Sequence, residues 1–314
     1  MEEPEVRRVD LAETTLFLKS LGETEVSRFP WFEPPDPEAV KRAETLLADL
    51  GATDRKAGTV TRVGRRMARF PMHPRYARMM LYASEAGCLP AIAMMAALGQ
   101  ERSILIPVKD VKIRHAREEV LRDPAVEKSD FFFHLRAWHW ARKQQYDRRR
   151  CEALGVHARA ARQAAQHASR FLEQAKAAGL DTETDRFDET AIRKALLIGF
   201  ADQLGVRADR GTRRCRLVHG RTGELRRESV VDRAELMVFA ELEETGGGGQ
   251  TRTLLGMATE VEREWLSELF PDAFEEGHRV SYDPDRREVV SEREVRFIDL
   301  LLECKGRAVV TGMG

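Results

Sequence analysis

Three guanidiniums and two amides recur along one side of an alanine-rich stretch, and these are the residues best spaced for chemistry. At 100° per residue, Arg159, Arg162, Gln163, Gln166 and Arg170 share one arc of a helix expected from about Ala158 to Ala178. Guanidinium forks and amides match phosphate oxygens and sugar hydroxyls, so this arc could hold a nucleic-acid backbone. A solvated helix face has the same composition, and spacing alone does not separate the two readings. Ala158, Ala161, Ala165, Ala168, Leu172 and Ala175 form a second arc, suited to close helix packing.

Catalytic patterns are missing from the sequence. There is no GxxxxGKS or GxxxxGKT phosphate cradle. There is also no GxSxG, no HExxH, and no GxGxxG with a usable acidic partner. The run Gly246-Gly247-Gly248-Gly249 leads into Gln250-Thr251 without a lysine and reads as a hairpin loop. His134 and His139 stand five apart, off the i,i+4 spacing that would aim both at one metal. Paired carboxylates abound, but nothing marks any pair as catalytic. No catalytic or metal-binding residue is assigned.

The elements that must position the arginine arc follow from composition and punctuation. A chain of 314 residues suggests two or three domains. With 42% hydrophobic residues it can build cores, and its 33% charged residues need a large solvated surface. No apolar run is long enough to span a membrane. Glu2, Glu3, Glu5 and Asp10 are wrong for a secretion signal. Cys88, Cys151, Cys215 and Cys304 lie far apart with no CxxC, as expected of reduced thiols in a cytoplasmic protein. The zero net charge hides an asymmetry. Residues 136–176 hold ten Lys/Arg against three Asp/Glu, a local net of +7, whereas residues 235–276 hold two against eleven, a net of −9. The first segment can attract phosphates and the second cannot.

Leu11, Thr15, Leu18 and Leu21 predict an early helix with those residues inward. A second is framed by Asp36 as cap, Pro37 at its first turn and Gly51 as terminator, with Val40, Ala43, Leu47 and Leu50 as its stripe. A short polar stretch and Thr59-Val60-Thr61 then suit a winged-helix wing. Pro74 and Gly87 bracket a helix carrying Tyr76, Met79, Met80 and Ala83. Pro90 and Gly99 bracket another that has no polar face and must be buried. Phe131, Phe132, Phe133, Leu135, Trp138 and Trp140 alternate with Arg136, Arg142 and Lys143. Such a pattern can stack on unpaired bases or fill a bundle core, and core suits most of these rings. Asp181–Asp188 reads as a linker. Short β-type runs follow at Cys215–Val218, Met237–Leu242, Thr253–Ala258, Arg279–Tyr282 and Val289–Val290, with a helix from about Glu260 to Phe270. Their spacing suggests a small barrel or sandwich.

One stretch carries a family likeness. Residues Val63-Gly64-Arg65-Arg66-Met67-Ala68-Arg69-Phe70-Pro71-Met72-His73-Pro74-Arg75-Tyr76-Ala77-Arg78-Met79-Met80 resemble the TPLGRxMAxLPLDPRLARML segment of the helicase-associated region of DEAH-box ATP-dependent RNA helicases. Val6-Arg7-Arg8-Val9-Asp10-Leu11-Ala12 is similar to the boundary leaving the second RecA-like domain. Leu18–Gly22 and Phe29–Pro37 echo the next family motif, and Ser129-Asp130 and Cys151–Ala160 fit further on. His219-Gly220-Arg221 and the 293–303 run resemble the bacterial HrpB branch. Departures are Arg62-Val63, where the family favours Thr-Pro-Leu, and His73, where Asp is usual.

The resemblance implies a multidomain α+β fold. A winged-helix-like domain is expected over residues 1–72, a helical ratchet-like bundle over 73–180, and a linker with a small OB-like β-barrel over 181–314. It implies an accessory helicase module that binds single-stranded RNA and couples it to a RecA-like motor. ATP and Mg²⁺ belong to that motor, so no cofactor is expected in this chain. Purified protein should show no RNA-stimulated ATP hydrolysis, and turnover that co-purifies with the chain would overturn this. Arg159, Arg162, Gln166 and Arg170 are expected to line a strand channel with Arg207, Arg214 and Arg221 of the barrel, while Arg286 and Arg287 should matter less. Two other readings stay open. One is a freestanding nucleic-acid-binding or regulatory protein whose winged helix reads duplex DNA. The other is a scaffold that docks a separately encoded motor.

Overall fold

The computed structural model describes residues 10–100, 103–121, 123, 127–246, 252–283, 288–302 and 307–310. Residues 6–9 of the boundary motif, the glycine run beyond Gly246, Arg286, Arg287 and Cys304 lie outside them.

Helices α1 (Ala12–Ser20), α2 (Pro37–Asp49) and α3 (Arg62–Met67) make the first unit. Asp36 caps α2 by accepting from the Glu38 N–H at 3.1 Å, and Gly51 follows in the left-handed conformation at φ +68°. Thr53 and Val60 pair as one isolated antiparallel bridge, so the wing is reduced to a single rung. Thr61 then caps α3 by accepting from Gly64 N–H at 3.0 Å. Gly64 has to be glycine for space, since a Cβ there would lie 2.0 Å from the Ala52 carbonyl oxygen. One expectation fails. Leu21 is 70% exposed because α1 ends at Ser20, and the buried face is Ala12, Thr15, Leu16 and Leu18.

The bundle comprises α4 (Pro74–Ala86), α5 (Leu89–Gln100), α6 (Val111–Leu121), α7 (Asp130–Lys143), α8 (Arg148–Ala153) and α9 (Ala158–Ala177). Helix α5 is central, with every residue from Ile92 to Leu98 at most 7% exposed. This follows from its lack of a polar face. Helix α9 packs along it and against α7. The buried residues of α9 are Ala160, Ala161, Ala164, Ala168, Phe171 and Ala175, with Ala158, Ala165 and Leu172 only partly covered. The packing face is therefore turned from the expected alanine arc. Phe171 is the largest apolar side chain available to that interface, and its burial outweighs the methyl groups it displaces.

The expected linker is tied down. Asp181 N–H donates to Ser84 Oγ at 3.1 Å and Arg186 N–H to the Gly87 carbonyl at 2.8 Å. Helix α10 (Glu189–Gly199) then packs on α4, where Arg75 donates to the Gly199 carbonyl at 3.1 Å and grips the Asp202 carboxylate with both Nη atoms.

Five strands close into a barrel in the order β1-β2-β3-β5-β4, comprising β1 (Leu204–Arg207), β2 (Arg214–Leu217), β3 (Thr222–Leu225), β4 (Leu236–Thr245) and β5 (Arg252–Glu260). β3 and β5 run parallel and the other pairs antiparallel. Met237, Phe239, Leu255 and Cys215 fill it. After α11 (Glu264–Leu269), a second sheet forms from β6 (Phe274–Asp283), β7 (Glu288–Phe297), β8 (Leu300–Leu302) and β9 (Arg307–Val310), with β7 paired to the other three. The C-terminal β region thus contains two sheets.

Candidate nucleic-acid interface

Helix α9 begins where His157 Nδ1 accepts from the Ala160 N–H at 3.2 Å, and six alanines between 158 and 168 favour the helix. With the buried face settled, the arginine arc lies nearly opposite it. Arg159, Arg162, Gln166 and Arg170 are exposed and Gln163 is half-buried. No carboxylate lies within ion-pair distance of these three arginines among the described residues. Arg162 instead sets its guanidinium over the Tyr146 ring, 5.4 Å from the centroid.

The barrel arginines divide. Arg214 is exposed at the start of β2. Arg207 spends its guanidinium on backbone carbonyls, donating to Ala234 O at 2.9 Å, to Asp232 O at 3.0 Å and to Thr212 O. Arg221 donates to Val218 O at 3.2 Å and to Asp202 O. Both therefore staple loops of the barrel, through three guanidinium donors of Arg207 and two of Arg221. The barrel itself is seated on the start of α7 and on α10, whereas α9 packs on α5, α7 and α8.

That seat is built around buried polar groups. Ser129 caps α7, accepting from Phe131 N–H at 3.2 Å, and its hydroxyl meets Thr259 Oγ1 at 2.8 Å. Asp130 accepts from the N–H groups of Val230 and Ala258, each at 2.8 Å, and from the Ser229 hydroxyl at 3.0 Å. Burial raises the Asp130 carboxyl to about 6, against the opposing pull of those donors. The first unit is joined separately. Asp49, buried at the end of α2, accepts from His219 Nε2 and from Arg55, both at 2.7 Å. That bond raises the His219 pKa.

Burial depresses His134 to about 4, and its Nδ1 is bonded to the Asp130 carbonyl at 2.9 Å. Among the described residues, no three His, Cys, Asp or Glu side chains are grouped to hold a metal. No helix of the described residues is long and apolar enough to cross a membrane.

Sequence reasoning missed a groove of ≈570 Å³ beside the arginine arc, between α5, α7, α9 and residues 185–187. Trp138, Arg142, Tyr146 and Phe187 stand in its wall. The interleaved aromatics of α7 were the available signal, but which rings reach a surface depends on packing.

Comparison with known proteins identifies the first two units. Residues 43–72 match the winged-helix helicase associated domain (HA2), and residues 73–185 match the ratchet-like helicase associated domain (HA2). Residues 43–185 form a helicase-associated region. It is similar to the corresponding part of several named helicases. The human "Probable ATP-dependent RNA helicase DHX35" is 33% identical over 149 residues, 48% of this chain and 21% of that protein. The "ATP-dependent RNA helicase HrpA homolog" of Haemophilus influenzae is 30% identical over 167 residues, 48% of this chain and 12% of that protein. Escherichia coli "ATP-dependent RNA helicase HrpA" is 26% identical over 216 residues, 65% of this chain and 16% of that protein. The matched chain spans about a fifth or less of these relatives. Within the helicase-associated region, α9 is a long helix of the ratchet-like part, and the arginine arc is its exposed face.

Proposed function

We propose that this chain binds single-stranded RNA along the exposed face of α9 and serves as an accessory module to a helicase motor. The observation that carries the reading is the arc itself. Arg159, Arg162 and Arg170 project from one face of a rigid 20-residue helix, without a carboxylate partner among the described residues, in a segment whose local charge is +7. Unpaired guanidiniums at such density repel one another and are best satisfied by phosphates. The relatives' names as RNA helicases point to RNA as the source of those phosphates.

The barrel supports the same reading. The five-stranded closed barrel, in the order 1-2-3-5-4, supports reading this part as OB-like, a kind of fold that binds oligonucleotides. Arg214 is its outward-facing member of the proposed set. ATP and Mg²⁺ are assigned to a RecA-like motor acting with this module, because the sequence has no phosphate loop. A cytoplasmic setting suits the three buried free thiols among the described residues, of which Cys88 and Cys215 are pushed up to about 11 by burial.

Binding should be electrostatic and sequence-tolerant. Four outward guanidiniums neutralising about four phosphates imply a log–log salt slope near −2.8 for a single strand. Affinity should then fall roughly fiftyfold between 50 and 200 mM salt. Fluorescence anisotropy of labelled homopolymer RNA across that range measures the slope. A flat salt response, or preference for duplex DNA over single strands, would sink the reading in favour of a winged helix that reads duplex.

A further inference from the structure

The groove beside the arc has the chemistry of a base-stacking site, and this inference rests on the RNA-binding reading. We infer that it receives one unstacked nucleobase from a strand whose phosphates lie on Arg159, Arg162 and Arg170. At ≈570 Å³ it has the size of a small-ligand cleft. Ala165, Ser169 and Leu172 of α9 line it, and the lining residue Tyr146 lies under Arg162, which joins the groove to the proposed phosphate face.

Two cation–ring pairs stand at this site. Arg162 lies over Tyr146 at 5.4 Å and Arg142 over Trp138 at 5.5 Å. Arg142 and Arg162 are both exposed. Phe187, another wall residue, is 63% exposed although a large apolar ring is normally buried. Guanidiniums and aromatic rings are the surfaces on which bases stack without regard to sequence. Arg142 and Asp185 are the charged pair of the lining, and the Ser169 and Tyr146 hydroxyls add polar groups to it.

An independent observation concerns the backbone. Gln145 and Tyr146 are consecutive non-glycine residues at φ +55° and +58°. Left-handed conformations are costly for L-residues other than glycine and are retained where the surrounding structure enforces them. Here the turn between α7 and α8 is held by Tyr146 N–H donating to Ala141 O at 2.9 Å and by Arg150 donating to the Gln144 amide oxygen at 2.8 Å. The strained turn brings the Tyr146 ring to the groove beneath Arg162. A glycine-bearing turn would connect the helices without the strain, but it would not supply the ring.

The test compares a single-stranded RNA dodecamer with an abasic oligomer of the same length and phosphate number, using the full chain. The parent should bind the base-bearing strand roughly tenfold more tightly. Tyr146→Leu, which keeps an apolar side chain at the turn, should lose that preference while keeping the salt slope. Tyr146→Phe should retain it. Circular dichroism and thermal melting confirm that each variant is folded. If the parent binds both strands equally, or if Tyr146→Leu keeps the preference, the groove takes no base and the inference is overturned, while binding through the arc stands. If neither strand binds, the RNA-binding reading fails and this inference fails with it.

Discussion

Replacing Asp130 by Ala is expected to lower stability by about 2–5 kcal/mol and to loosen the barrel from the bundle. Asp130 is the first residue of α7, yet its carboxylate serves the barrel. It accepts from Val230 N–H, Ala258 N–H and the Ser229 hydroxyl, all across the junction. Its removal strands two buried backbone donors, each costing about 1–3 kcal/mol. Release of a buried charge offsets part of that loss. Asp130→Asn should also fall below the parent, because each carboxylate oxygen accepts a backbone N–H. The amide NH₂ must therefore face a donor in either orientation.

The pH dependence of the same residue has a defined sign. Burial raises the folded carboxyl to about 6, above its ordinary value of 3.8, so the native state binds the proton more tightly than the unfolded chain. Stability from this group therefore increases as pH falls from 7 through 6 toward 4. Between pH 7 and 5 the gain is about 1 kcal/mol. Once protonated, Asp130 can donate to the Ser229 oxygen, so acidification leaves the junction satisfied. Chemical denaturation of parent and Asp130→Asn at pH 7 and pH 5 measures this. A difference between them that stays constant with pH would show that Asp130 does not titrate in that window.

The second large effect belongs to the arc. Substituting Ala for Arg159, Arg162 and Arg170 together should shift the log–log salt slope by about 2 toward zero, since each lost phosphate contact removes about 0.7. At 50 mM salt the variant should bind single-stranded RNA at least tenfold more weakly. The fold should be unaffected, because the buried face of α9 is Ala160, Ala161, Ala164, Ala168, Phe171 and Ala175. Alanine is also the best helix former, so helix propensity does not suffer. Arg207→Ala and Arg221→Ala offer a contrast. Their guanidiniums hold barrel carbonyls, so their loss should reduce the melting temperature before it alters the salt slope. If the triple variant binds with the parent's affinity and slope, the arc is a solvated face.

Local chemistry was enough to place the helices that frame the site. Asp36 with Pro37, and Pro74 with Gly87, mark helix ends because capping groups and left-handed glycine act within one turn. The burial of α5 was legible for a similar reason, as twelve residues without charge leave no side to face water. The exposure of the arginine arc followed from helical period alone.

Strands β1 and β3 were not legible. Each is four residues long and contains a glycine, Gly205 and Gly223, which lowers strand propensity. Yet glycine is what the barrel requires, since a Cβ on Gly223 would lie 2.7 Å from the Leu255 side chain. The roles of Arg207 and Arg221 were also hidden, because an arginine that binds carbonyls is indistinguishable in sequence from one that binds phosphate. The junction at Asp130 depends on Ser229, Val230 and Ala258, about a hundred or more residues away, and no local pattern encodes such a pairing. Helical period and capping act within a few residues and can be read directly from the chain. The rotation of α9 about its axis, the partners of each buried charge and the groove at Tyr146 depend on which surfaces meet, and only packing in three dimensions selects those.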